Sequence, residues 1–179
     1  VTRQLPDNPG PDARSPSELQ RWFASIHHAS SAASRFYGTM SRRIDYPLGY
    51  CFQSLKKLHS NLKEILSAEL SRAGPQPQAS PQRTHHPVPP CAESGEVAGR
   101  YASLSILSSN PGAEVLDYLV VTEQRQKRLQ TGTLEALDDT PLKIAISAQT
   151  AMLQITIDRM VALLDEDLDK GVSGEDWLR

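Results

Sequence analysis

Cysteine is nearly absent from this 179-residue sequence, which holds only Cys51 and Cys91. Two cysteines do not build a disulfide scaffold, and their scarcity points to a reduced, intracellular setting. Long apolar runs are missing too. No stretch approaches the roughly 18 apolar residues of a membrane span, and the opening VTRQLPDNPGPDARSP lacks the apolar centre of a signal peptide. Even the most apolar segment, 140–168, carries Lys143, Gln149, Gln154, Asp158 and Arg159, which burial in lipid penalises, so no membrane partner is expected. A strong charge of one sign is also lacking. A formal charge of −2 and a pI near 6.2 argue against a free-standing nucleic-acid binder. Motifs that announce a chemistry are absent as well: there is no G-x-S-x-G, no glycine-rich phosphate loop and no H-E-x-x-H. The first residue is Val rather than Met, so the chain reads as processed or as a fragment.

What the sequence does contain is helical periodicity, and the fold class it implies is an all-α bundle of four to five helices. After a Pro/Asp/Gly/Arg-rich lead-in over residues 1–14, expected to be disordered, Ser15-Pro16-Ser17-Glu18 forms a capping-box pattern. Leu19, Trp22, Phe23, Ile26, Ala29, Ala33, Phe36, Tyr37 and Met40 then follow at helical spacing. Within that helix the run HHASSAAS offers side chains small enough for another helix to approach, and its serines mark it as the part most prone to fray. Ile44-Asp45-Tyr46-Pro47 reads as a break. A second helix carries Leu48, Cys51, Phe52, Leu55, Leu58, Leu62, Ile65, Leu66 and Leu70 in threes and fours until Gly74-Pro75 stops it.

Between Ala73 and Glu93 six of the thirteen prolines gather with almost no large apolar group, which predicts a disordered Pro/Gln/Ser-rich linker at 73–93. A short helix is expected from about Glu93 to Ser109, built on Val97, Tyr101, Leu104 and Leu107. After Asn110-Pro111-Gly112 another helix is expected, with Val115, Leu116, Leu119, Val120 and Leu129 inward and Glu123, Gln124, Arg125, Lys127 and Arg128 outward, closing at Gly132. The segment 140–168 opens with Thr140 as N-cap and Pro141 at the first helical position. Leu142, Ala145, Ile146, Gln149, Met152, Leu153, Thr156, Met160, Leu163 and Leu164 fall on one face, and Ile144, Ala148, Ala151, Ile155 and Ile157 widen it, which requires at least two helices against it, at 48–72 and 111–131. The helical domain thus spans 15–170, and 171–179 is an acidic tail.

No residue is assigned a catalytic, cofactor-binding or metal-binding role. His27 and His28 are adjacent on a helix, so their side chains diverge by about 100° and do not share a metal. His59 has no ligand-type neighbour in sequence, and His85-His86 with Cys91 lacks a fourth ligand. Asp165, Glu166, Asp167 and Asp169 lack the spacing and central glycine of a calcium loop. Placed at a helix C-terminus, where the dipole disfavours them, they invite a basic neighbour. Residues 1–72 hold ten Lys/Arg against six Asp/Glu, and 135–179 hold four against ten, so the N-terminal third is a candidate for that neighbour. Arg42, Arg43, Arg125, Lys127 and Arg128 read as solvated helix faces, and direct nucleic-acid contact by this segment is not expected.

From Cys51 to about residue 165 the arrangement resembles the C-terminal region of fungal zinc-binuclear-cluster transcription regulators of the aflatoxin-pathway type. The resemblance lies in Cys51-Phe52 opening a Leu-rich helix (Leu55, Leu58, Leu62), a long Ser/Pro-rich insert, Val115-Leu116-Asp117 opening a Gln/Arg-bearing helix, and the aliphatic helix Leu142 to Leu164. Two features depart from that family. Its six-cysteine DNA-binding cluster has no counterpart, and its Cys-containing loop before the last helix is replaced by Glu135-Ala136-Leu137-Asp138-Asp139. The resemblance implies a nuclear, non-enzymatic regulatory or dimerisation domain acting on a protein partner or a second copy through helical faces. The alternatives from the residues alone are a structural or adaptor bundle unrelated to transcription, and an enzyme, which requires a pocket holding two or more titratable groups.

Overall fold

α1 (Pro16–Met40) forms where the aromatic and small residues recur every three to four positions, and it buries Phe23, Ile26, Ala29, Ala33, Phe36, Tyr37 and Met40 along that stripe. The computed structural model of the chain describes residues 16–73, 90–104, 113–138 and 140–172, less the side chains of 16–17, 90–94, 113 and 167–172. The lead-in 1–14, Gly74-Pro75, His85-His86, Leu107, the turn at Asn110-Pro111-Gly112 and 173–179 of the tail lie outside the described residues, as do the side chains of Cys91, Asp167 and Asp169.

α2 (Leu48–Ala73) starts after a turn whose Tyr46–Pro47 peptide bond is cis. Gly49 is required there: a Cβ on it would lie 2.2 Å from the Ile44 carbonyl oxygen, while its own N–H donates to the Asp45 carbonyl at 2.8 Å. Cys51, Phe52, Leu55, Leu62 and Leu66 are buried along the expected seam, and His59 lies buried within it. α3 (Pro90–Leu104) begins earlier than the sequence suggests, so Ala73 and residues 90–93 belong to helices rather than to the linker. Pro90 is no obstacle, because the first helical position has no use for the N–H that proline lacks. α4 (Ala113–Glu135) runs through Gly132, which is not a terminator. A Cβ there would come within 2.9 Å of the Trp22 ring, so this glycine serves close helix approach. A further turn follows, with Ala136 N–H donating to the Thr133 carbonyl and Leu137 N–H to that of Leu134. α5 (Pro141–Val172) starts at the expected cap, where Thr140 Oγ1 accepts the Lys143 N–H at 3.3 Å.

Among the described residues the architecture is all-α. α1 packs against α2, α3 and α4, and α5 packs against α2 and α4. The closed circuit α1–α2–α5–α4 is therefore a four-helix bundle, with α3 laid over the α1/α4 edge. Cross-links fix the directions. Ser34 pairs with Ser60 and His27 with Ser67, Tyr37 with Glu123 and Ser30 with Gln126, Thr150 with Gln130 and Lys127 with Gln154. In each pair of helices one number rises as the other falls, so neighbours are antiparallel. Glu96 with Arg125 and Tyr101 with Glu123 give the same relation for α3 and α4, and the chain runs up and down through all five helices.

α5 packs on α2 and α4 as expected, while α1 and α4 each touch three other helices. The apolar breadth of α5 is not all buried: Leu153, Ile157 and Met160 are inside, whereas Ile144 is 72%, Met152 50% and Ile155 45% exposed. Two neighbours cover only part of its circumference.

Candidate functional site

α4 turns a polar face into the core. Thr122, Glu123, Gln126, Gln130 and Thr133 are buried at three-to-four-residue spacing, continuing the stripe that begins with Leu116, Leu119 and Val120. Opposite them, α1 presents His27, Ser30, Ser34 and Tyr37 at similar intervals, each bonded to α2 or α4. The HHASSAAS serines that suggested fraying are thus partly interior, with Ser30 fully buried against the Gln126 amide, whose N–H donates to it at 3.0 Å. Buried polar groups without partners cost free energy, which makes this seam register-specific: a slip by one turn strands Glu123, Gln126 and Gln130, whereas Thr122 and Thr133 keep bonds to carbonyls of their own helix.

Glu123 is the centre of the seam. The sequence places it outward, yet it is fully buried and joins four helices. Its Oε1 accepts the hydroxyls of Tyr37 on α1 at 2.7 Å and Tyr101 on α3 at 2.5 Å, and its Oε2 accepts Nε2–H of His59 on α2 at 3.0 Å. Around it the rings of Phe36, Tyr37, Phe52 and Tyr101 pack at centroid distances of 5.0–6.5 Å, and His59 stacks on Tyr37 at 6.0 Å. Burial pushes the Glu123 carboxyl up. Its electrostatic interaction with His59 and the hydrogen bonds from His59, Tyr101 and Tyr37 outweigh that effect, and the carboxyl is held below its ordinary value of 4.5. Burial, reinforced by the Glu123 charge, drives both tyrosine hydroxyls well above 10.0. Two atoms of the seam are left over: His59 Nδ1 and Gln126 Oε1 are buried without a partner.

Chemically, the arrangement is an anion held by three donors. Of these four titratable groups Tyr101 lines a surface cavity, whereas Tyr37, His59 and Glu123 line neither that cavity nor a second one beside Lys127 and Gln154. A carboxylate whose oxygens already accept three hydrogen bonds inside a ring of aromatics acts first as a pin between helices. The signal for it was in the periodicity, because Glu123 falls one turn after Leu119 and Val120; its charge argued the other way.

The remaining candidates are dispersed. His27 Nε2 bonds Ser67 Oγ at 2.9 Å, and His28 is exposed. Among the described residues no group of three or more His, Cys, Asp or Glu is placed to hold a metal. Cys51 is a free, buried thiol whose pKa burial raises despite the opposing charge of Arg159. Arg125 pairs with Glu96, Lys127 with Gln154, and Arg42 Nε–H donates to the Gly38 carbonyl, so these cations are tied down individually. Asp165 and Glu166 are exposed and make no ion pair among the described residues, so the suggested basic neighbour is not seated there. No helix among the described residues is long and apolar enough to cross a membrane.

Among the described residues, fold and site together define a class: a five-helix up-and-down bundle with a carboxylate-centred polar pin, carrying an uncovered apolar stripe on α5. Comparison with protein-family models, curated proteins and solved structures finds no match for the chain.

Proposed function

We propose that the chain is a non-enzymatic regulatory domain that self-associates through α5, as the dimerisation region of a nuclear transcription regulator does. One observation carries the reading. Ile144, Ala148, Ala151 and Ile155 form an exposed stripe with a 4-3-4 heptad-type spacing, flanked by half-exposed Met152. Large exposed apolar side chains aligned on one face mark an interaction surface rather than a solvated one. The stripe reads the same in both directions, so a second copy laid antiparallel across a two-fold axis sets Ile144 against Ile155 and Ala148 against Ala151. Alanine at the centre lets the two backbones approach closely.

Sedimentation equilibrium of the purified chain tests the association: a dimer is expected, and Ile144→Glu/Ile155→Glu should leave a folded monomer. A wild type that stays monomeric at high micromolar concentration sinks the dimer reading. The transcriptional part is tested separately, by fusing the chain to a heterologous DNA-binding domain that itself must dimerise to bind its operator. Wild type should restore reporter control and the double variant should not. Equal reporter output from both would remove α5 pairing as the basis of regulation.

A further inference from the structure

Beyond that reading, the far side of the molecule carries a second feature. Between α1 and α3 lies a groove of about 610 Å³, open to solvent and within the ~300–1,000 Å³ usual for small-molecule sites. Phe36, Met40 and Tyr101, which belong to the core, form its apolar base. Gly95 and Gly99 line it from α3, one turn apart. Glycine is a poor helix former, and a Cβ at either position would meet nothing within 4 Å. Close packing therefore does not explain these glycines among the described residues; their effect is to keep the groove wide.

The charge of the lining has one sign. Arg35 stands at the rim, exposed, its guanidinium in no ion pair with a described residue, and His28 adds a ring N–H donor two turns earlier on α1. No carboxylate is among the described lining residues. We propose that this groove binds an amphipathic organic anion, with its apolar body over Phe36, Met40 and Tyr101 and its acid group against Arg35. Because Tyr101 lines the groove while its hydroxyl holds Glu123, an occupant touches the residue that ties α3 to the buried pin.

The probe for the test is 1-anilinonaphthalene-8-sulfonate, titrated into the full chain and followed by fluorescence, with decanoate and decanol as competitors. Saturable binding at one site is expected, with decanoate displacing the dye at least tenfold more effectively than decanol. Arg35→Glu should weaken dye binding at least tenfold. Gly95→Leu/Gly99→Leu should do the same by filling the groove, with circular dichroism preserved and Tm unchanged or raised, because each Cβ enters open space and glycine is a poor helix former; the milder Gly99→Ala serves if the double variant does not fold. Ile144→Glu/Ile155→Glu should leave dye affinity unchanged, which separates this site from the α5 stripe. Non-saturable binding, an Arg35→Glu affinity within twofold of wild type, or equal displacement by decanol overturns the proposal.

Discussion

At the scale of single residues, the costs are set by what each substitution leaves stranded. Glu123→Ala removes the acceptor for three buried donors on three helices. Breaking such a buried charged group typically costs about 3–5 kcal/mol, a large part of the ~5–15 kcal/mol that holds a domain together. Tyr37→Phe loses one hydrogen bond to a charged partner and should cost about 1.5–3 kcal/mol. Urea denaturation measures both, and a Glu123→Ala variant within 1 kcal/mol of wild type would mean that the pin is not formed in solution. On α5 the contrast is between neighbours. Leu153 is 1% exposed and Met152 50%. Leu153→Asp buries an unpaired charge and should unfold the domain, whereas Met152→Asp should be nearly neutral to stability. The sequence alone had grouped the two on one face, since both are apolar and at helical spacing; only the position of α2 and α4 separates them.

At the scale of elements, the two kinds of glycine give opposite expectations. Gly49→Ala drives a Cβ into a backbone oxygen that has no room to move, and it should cost about 1–3 kcal/mol or more. Gly99→Ala meets no atom and should stabilise α3 by up to about 1 kcal/mol. Thermal unfolding of the two variants side by side should show shifts of opposite sign. Most helix positions were legible because amphipathic stripes and caps are local signals: Thr140-Pro141 opens α5, and Leu55, Leu62 and Leu66 line α2 as their spacing requires. What local reading lost was the interior of α4. Glu123 finds its partners 86, 64 and 22 positions away, so nothing adjacent in sequence shows that its charge is satisfied inside. The breadth of α5 was misjudged for the related reason that apolar girth does not reveal which part a neighbour covers.

For the whole molecule, the pin should appear in the pH dependence of stability. Glu123 has its folded pKa below the ordinary 4.5, so the folded state holds the proton less tightly than the unfolded chain. Its contribution is present above about pH 4.5 and is lost as the pH falls through the folded value. Tyr37 and Tyr101 have folded values well above 10.0, so their contribution is present below pH 10 and shrinks as the unfolded chain, but not the folded one, releases those protons. A stability plateau bounded by an acid limb and an alkaline limb is expected, each group adding a slope of about 1.4 kcal/mol per pH unit in its window. Other carboxylates also shape the acid side, among them Glu96, held low by hydrogen bonds from Arg100 and Arg125. The measurement that isolates the pin is therefore a difference. Glu123→Gln should flatten the acid limb relative to wild type while keeping much of the alkaline one, because burial is the first cause of the tyrosine shifts and survives the substitution. Tyr37→Phe should reduce the alkaline limb instead. Acid limbs that superimpose for wild type and Glu123→Gln would show that Glu123 is already protonated in the fold, and that the three donors grip a neutral group rather than a charge.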